Sequence, residues 1–303
     1  MDRLEGMRLF VRVVEMGSFA AVATQMNVAR SVVTRQVAAL EAHLGTKLIA
    51  RSTRRLSLTS AGASYLEKCR EILVLVEAAE ADLTDNQQAP RGRLRIALPL
   101  SFGICQLMPL LGNFMRFNPE ITLELEFGDR RVNLIEGGFD LAIRIDDRLE
   151  PGDVARKIGS SCGVIAAAPE YIAQRGRPQH PQELATHECF GYLLETRPSW
   201  SFFIDGELRW FPISGRLQAN NGDALVAAAV QGLGIVRAPT FIVETAVRAG
   251  QLEILLPAYP TLELGIYAIF PGNRYVPHRV RALVDFLAER IGPRPPWDAI
   301  LPK

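Results

Sequence analysis

A chain of 303 residues, 48% hydrophobic and 22% charged, carries enough apolar surface for about two packed domains, which excludes disordered and collagen-like classes. No apolar run approaches the roughly 18 to 20 residues that a bilayer span requires, and the opening residues are charged throughout rather than built as a signal peptide, so a cytoplasmic protein is expected. Net charge is only +1, so the distribution of charge along the chain says more than its sum.

Residues 2–15 read as a helix whose inward stripe is Leu4, Met7, Phe10, Val11 and Val14, a brace for the two helices after it. Ser18 stands where an N-cap belongs, Ala20, Ala21, Ala23 and Met26 support a short helix, and Asn27 closes it because Asn tolerates left-handed backbone. A second helix then places Val28, Val32 or Val33, Val37, Leu40 and Leu44 on one buried face, and Gly45 ends it. Its opposite face shows Arg30, Ser31, Thr34, Arg35 and Ala38, short or cationic groups that fit a major groove. Lys47 to Ala50 and Arg54 to Leu58 alternate as two short strands around Arg51, Ser52 and Thr53, which completes a winged helix-turn-helix.

Between residues 27 and 59 six basic residues (Arg30, Arg35, Lys47, Arg51, Arg54, Arg55) stand against one acidic residue, Glu41, for a local net charge of +5. Phosphate contacts act over a Debye length of about 8 to 10 Å in physiological salt, so a polyanion is the expected partner. Without the wing, the two helices would fit an ordinary αα-hairpin with a solvated surface equally well.

The stretch LFVRVVEMGSFAAVATQMNVARSVVTRQVAALEAHLGTKLIARSTRRLSLTSAG closely resembles the amino-terminal domain of LysR-type transcriptional regulators, in its GSF and AA opening, its RQ and ALE helix, its LG and KL turn and its LT and G start of the next helix. The resemblance implies double-stranded operator or promoter DNA as partner, with contacts on Arg30, Ser31, Thr34 and Arg35 and on Arg51 and Arg54 in the wing. Members of the family often carry glutamine and proline or serine early in this helix, so Arg30 departs from the pattern: it either reads guanine or holds phosphate. RNA polymerase is a further partner that such a regulator implies.

Thr59 caps the next helix, which runs to about Asp85. Tyr65, Cys69, Ile72, Val76, Ala79 and Leu83 repeat along it at steps of four and three, a coiled-coil-like stripe that a second copy of the chain would cover, so a homodimer or homotetramer is expected. From 61 to 90 the balance reverses to net −4, which confines the basic surface to the winged domain. NQQAPRG (86–92) reads as a hinge. The expected divisions are 1–58 for the winged domain, 59–86 for the linker helix, 87–92 for the hinge and 93–303 for a second domain.

In that second domain strands and helices alternate: LRIALPL, a helix around Gln106 to Phe117, ITLELEF, a short helix near Val132 to Glu136, and DLAIRI, a βαβ rhythm that suggests a largely parallel sheet. CGVIAAA opens a further unit with helices near 169–174 and 222–231 and strands near 200–212. LELGIYAIF and a helix from Pro277 to Arg290 then return to the first. The pattern resembles the two-lobed, periplasmic-binding-protein-like α/β effector domain of the same family, with lobe I at 93–161 plus 268–303 and lobe II at 162–267. The tail after Ile291 is expected to be peripheral. DRRVNLIEGGFDLAIRI and APEYI resemble the CrgA-like subgroup, which suggests a small, anionic or aromatic effector.

Ligands of open α/β lobes sit beyond the carboxyl ends of strands. Ser101 and Phe102 follow the first strand, Asp129 follows the second, Arg144 ends the third, and Asn221 precedes a helix of the other lobe. Ser101 is either a plain N-cap or a cap that also meets a ligand; Arg144 either holds a planar anion or pairs with Asp129 or Asp146; Asn221 is a ligand contact or only a turn and a cap. Gly232 and Gly234 are better explained by a helix C-cap than by a phosphate loop. His43, His180, His187 and His278 are not paired at ligand spacing, and GxSxG, HExxH and Walker motifs are absent, so no metal, cofactor or catalysis is expected. Cys69, Cys105, Cys162 and Cys189 are too widely spaced for a zinc knuckle and read as reduced thiols. The alternatives to a ligand-modulated regulator are a ligand-independent DNA-binding repressor and a solute-binding module without a DNA role.

Overall fold

Asp2 accepts the backbone N–H groups of Leu4 and Glu5 on its carboxylate and so starts the first helix, α1 (Arg3–Met16), which Gly17 ends at φ 62°. The computed structural model describes residues 2–51, 56–83, 89–195, 198–272, 276–292 and 295–301. They fall into one unit made mainly of Met1–Gln88 and a second made of Ala89–Gly272 with Arg279–Lys303.

In the first unit α2 (Phe19–Gln25) is capped by Ser18, whose hydroxyl accepts from the Ala21 N–H at 3.3 Å, and Asn27 adopts the left-handed turn at φ 53°. Next come α3 (Arg30–Leu44), the antiparallel pair β1 (Ile49–Arg51) and β2 (Leu56–Leu58), and α4 (Ser60–Leu83). Thr59 caps α4, accepting from the Gly62 N–H at 2.9 Å. The core gathers Leu9, Phe10, Val13, Val22, Val33, Val37, Leu40, Leu48, Leu66 and Cys69. Val28 and Leu44, expected in the buried face of the second helix, are exposed: the first precedes α3 and the second ends it, beyond the stretch that α1 and α2 cover. The start of the α4 stripe also differs from expectation. Leu66 and Cys69 belong to this core, Tyr65 and Leu73 pack on it, and the Tyr65 ring lies 6.1 Å from that of Phe10. Leu75 is exposed, and the side chains of Ala79 and Leu83, with residues 84–88, lie outside the described residues.

The second unit runs β3 (Gly92–Leu98), α5 (Leu100–Phe102), a π turn (Gly103–Leu107), α6 (Met108–Phe117), β4 (Ile121–Phe127), β5 (Leu141–Asp146) and β6 (Val154–Ala167). After these come α7 (Pro169–Arg175), a 3-10 turn (Pro181–Thr186), β7 (Gly191–Tyr192), β8 (Ser199–Ile204), β9 (Glu207–Pro212) and β10 (Gln218–Ala219). The chain closes with α8 (Gly222–Val230), β11 (Val236–Pro239), α9 (Thr240–Arg248), β12 (Glu253–Leu255), β13 (Glu263–Phe270), α10 (His278–Ile291) and a second 3-10 turn (Pro296–Ile300).

One sheet orders its strands β11-β6-β13-β5-β3-β4, with β12 also on β6. Only β3 pairs in parallel, with β4 and β5; β13 runs antiparallel to β5 and β6, and β6 antiparallel to β11 and β12. The sheet is therefore mixed rather than largely parallel, because β6 and β13 are long strands that the alternation of strand and helix does not orient. Val154–Cys162 of β6 pair with β13 in lobe I, whereas Gly163–Ala167 pair with β11 and β12 in lobe II. β13 pairs with β5 from Gly265, so the return to lobe I precedes residue 268.

Two further expectations fail. Residues 134–138 form turns instead of a helix, since the Asn133 side chain accepts the N–H groups of Ile135 and Glu136 and Gly138 turns left-handed at φ 64°. Pro295–Leu301, in the tail expected to be peripheral, is not so: Trp297 is buried, and Ile300 and Leu301 pack on the core of lobe II. Among the described residues no helix is long and apolar enough to cross a membrane.

Candidate functional site

Arg30, Ser31, Thr34 and Arg35 are all exposed on α3, opposite the buried Val33, Val37 and Leu40. No side chain caps the start of this helix at Ala29, so its first N–H groups face outward beside Arg30. The Thr34 hydroxyl donates to the Arg30 carbonyl at 3.0 Å, which leaves its lone pairs to meet a donor. Arg51 ends β1 opposite Leu56, but its side chain and the whole of Arg54 lie outside the described residues.

Glu41, counted from sequence only as a lone negative charge, holds the wing to the helix. Its side chain is 8% exposed, and one carboxylate oxygen accepts from the backbone N–H groups of Leu48 at 3.0 Å and Ile49 at 3.1 Å. The other accepts from the Lys47 ammonium at 2.6 Å. Burial alone would raise this carboxyl, but the hydrogen bonds from Lys47, Ile49 and Leu48 outweigh it and hold the pKa below its ordinary value. Behind the same turn Gly62 packs α4 so closely that a Cβ there would overlap the Leu48 carbonyl. A single acid in a basic segment, placed before an apolar pair that begins a strand, was the available signal.

In the second unit the Ser101 hydroxyl, on lobe I, donates to the carboxylate of Asp223, on lobe II. It also accepts from the Asn221 side-chain amide at 3.5 Å. Asn221 is at the same time the N-cap of α8, accepting from the Ala224 N–H at 3.0 Å. Asp223 is thus a partner that sequence did not single out; an acid in the first turn of a helix looks like ordinary dipole complementation.

The other expected effector residues take supporting places. Asp129 accepts the Leu100 N–H at 2.9 Å and so caps α5 from a neighbouring loop. The Arg144 guanidinium is buried and donates to the carbonyls of Gly128 at 3.1 Å and Arg130 at 2.9 Å, bracing that loop, while Asp146, one of its two expected partners, pairs with Arg131. Burial, then the charge of Arg131, lower its pKa, and Asp129 opposes them. Phe102 lies wholly inside, its ring 4.9 Å from Phe241 and 5.4 Å from Trp297, packed behind Ser101. Tyr192 packs on the core of lobe II, where burial and then the charges of Asp129 and Glu195 raise its phenol above the ordinary range.

Gly232, just past the C-cap Gln231, turns left-handed at φ 73° and ends α8. The four thiols are free, and each is pushed above the ordinary thiol range with burial as the largest cause: Cys69 to about 11 and Cys189 to about 12, with Cys105 and Cys162 in the same direction. None is poised as a thiolate.

Comparison with known proteins matches both units. The family model "LysR substrate binding domain" covers residues 87–292, and "Bacterial regulatory helix-turn-helix protein, lysR family" covers residues 4–63. An HTH-type transcriptional regulator of Xanthomonas campestris pv. campestris is 38% identical over 288 residues, 93% of this chain and 84% of that protein. The HTH-type transcriptional regulator CrgA of Neisseria meningitidis is 34% identical over 293 residues, 95% of this chain and 97% of its own length. The solved structure of CrgA superposes with a TM-score of 0.60 at 33% identity, covering 95% of this chain and 98% of that one. The full-length structure of the Vibrio cholerae virulence activator AphB gives 0.58 at 28% identity, covering 94% and 98%. With a winged DNA-binding head and an effector-binding domain that both match, the chain belongs to the LysR family of bacterial transcriptional regulators and is not an enzyme.

Proposed function

We propose that this regulator binds a partly palindromic operator as a dimer or tetramer through paired α3 helices, and that a small molecule between the lobes changes its grip on DNA. The observation that carries the DNA half is the exposed quartet Arg30, Ser31, Thr34 and Arg35 on a single helix face. Arg30 and Arg35 supply bidentate donors for guanine or phosphate, and Ser31 and Thr34 leave room for close approach to base edges. Leu75, exposed on the linker helix beyond the part that packs on its own domain, is where covering by a second copy starts.

For the effector we assign recognition to Ser101, Asn221 and Asp223, which meet across the cleft. They suit a small polar molecule that brings a hydroxyl, amide or ammonium donor to Asp223 and replaces the Ser101 contact. An anionic effector read by Arg144 would first have to displace its two carbonyl partners. A thermal-shift panel of neutral, cationic and anionic small organic molecules, run on the wild type and on Asp223→Asn, tests the assignment. Stabilisation by a donor-bearing compound that disappears in Asp223→Asn supports it. Stabilisation by acids that survives in Asp223→Asn refutes it.

The ligand-independent repressor is a second reading with its own support, because Ser101 and Asp223 already satisfy one another across the cleft. It predicts one operator affinity and one footprint across the whole panel.

A further inference from the structure

The lobes are joined where β6 changes partners, between Cys162, the last residue paired with β13, and Gly163, the first paired with β11. Thr261, on the approach to β13, donates its hydroxyl to the Gly163 carbonyl at 2.8 Å, so the two crossing strands are tied at this level. The segment Pro295–Leu301 is seated on the same crossing.

Its contacts form a chain of groups drawn from both lobes. Asp298 accepts from the Cys162 backbone N–H at 3.4 Å and from the Thr240 hydroxyl. Thr240 and Ser161, both with no exposure, have their hydroxyl oxygens 2.9 Å apart. Since the single Thr240 proton goes to Asp298, Ser161 must be the donor to Thr240, and the order of bonds is fixed. Trp297, 3% exposed, stands edge-on to Phe102 of lobe I at 5.4 Å and to Phe241 of lobe II at 6.3 Å. Ile300 and Leu301 anchor the segment on the core of lobe II. Phe102 directly follows Ser101, the residue that meets Asp223 across the cleft.

We propose that Pro295–Leu301 is a clasp over the interlobe crossing, fixed to lobe II and pressed onto lobe I by Trp297, which sets the angle at which the lobes face one another. Rotation about the crossing slides Phe102 past Phe241, and the indole wedged against both rings resists that slide; close-packed aromatic contacts have few intermediate arrangements. The indole N–H of Trp297 has no acceptor among the described residues, so the ring packing and not a hydrogen bond of the indole carries its hold on both lobes. Neither a ligand nor DNA is needed for the clasp to act.

The test is an intrachain distance measured by pulsed electron resonance on the full chain, spin-labelled at Arg116→Cys on lobe I and Gln174→Cys on lobe II. Cys105→Ser and Cys162→Ser remove the accessible native thiols, and excess unlabelled chain suppresses distances between copies. A narrow distribution is expected in this background, a broadened or displaced one in Trp297→Ala and Asp298→Asn, and a near-native one in Trp297→Phe, which keeps a ring in the seat. Asp298→Asn conserves volume and carries the test if Trp297→Ala fails to fold. A folded Asp298→Asn or Trp297→Ala with the unaltered distribution overturns the proposal, even where its melting temperature falls, because the segment would then only fill space on lobe II.

Discussion

Replacing Glu41 by alanine tests how the recognition helix and wing are held together. The substitution removes the acceptor of two backbone N–H groups, on Leu48 and Ile49, whose residues are 1% and 8% exposed. A buried donor left unmatched costs about 1–3 kcal/mol, and since the two share one oxygen the combined loss is about 2–4 kcal/mol. The Lys47 ion pair adds little, because the lysine side chain is 65% exposed and such pairs contribute about 0–1 kcal/mol. The amides therefore dominate, and Glu41→Gln, which keeps an acceptor oxygen, should lose only about 1 kcal/mol. Hydrogen exchange of the full chain, read on peptides covering residues 45–51, should show faster exchange in Glu41→Ala, a smaller effect in Glu41→Gln, and weaker operator retention in the same order. The acid side follows from the depressed pKa: the carboxylate's contribution is complete above its unfolded value, near 4.5, and disappears as pH falls through the lower native one. The wild-type wing should thus loosen at pH below about 4.5 in a step that Glu41→Gln lacks. Native exchange and native operator affinity in Glu41→Ala would refute the assignment.

Gly62→Ala drives a methyl group into the Leu48 carbonyl, a backbone clash without a flexible side chain to yield, so the winged unit should lose its cooperative melting transition and its DNA binding; calorimetry that shows a wild-type transition would contradict this. Arg144→Ala removes two charge-assisted bonds to carbonyls from a buried site and should destabilise the effector domain by about 2–4 kcal/mol in chemical denaturation without any ligand present. An unchanged midpoint there would refute the bracing role of this arginine. Lys47→Ala, judged by its exposure, should shift operator affinity similarly for all sequences, as a phosphate contact does, when competitor duplexes are compared.

The first unit was largely legible because its signals are local. Ser18 caps, Asn27 and Gly45 turn left-handed, and Val33, Val37 and Leu40 repeat at helical spacing within one helix. The second was legible in its elements and less so in their pairing. β6 serves two lobes along one strand, a property of its partners and not of its own residues. Sites built from distant segments stayed hidden for the same reason: Ser101 and Asp223, or Asp298 and Cys162, have no spacing to recognise. Arg144 shows the converse, a residue type apt for anions whose bonds to the carbonyls of its own loop no spacing announces.

The most direct test of DNA recognition through α3 is a gel-shift titration of the full chain with the DNA upstream of its own gene, at two salt concentrations with excess nonspecific competitor, beside Arg35→Ala. Affinity should fall steeply with salt, as release of counterions requires, and Arg35→Ala should lose about 1–3 kcal/mol of discrimination against mutated operator positions. Operator binding that Arg35→Ala leaves unchanged in both affinity and specificity would contradict the assignment of this helix face to DNA.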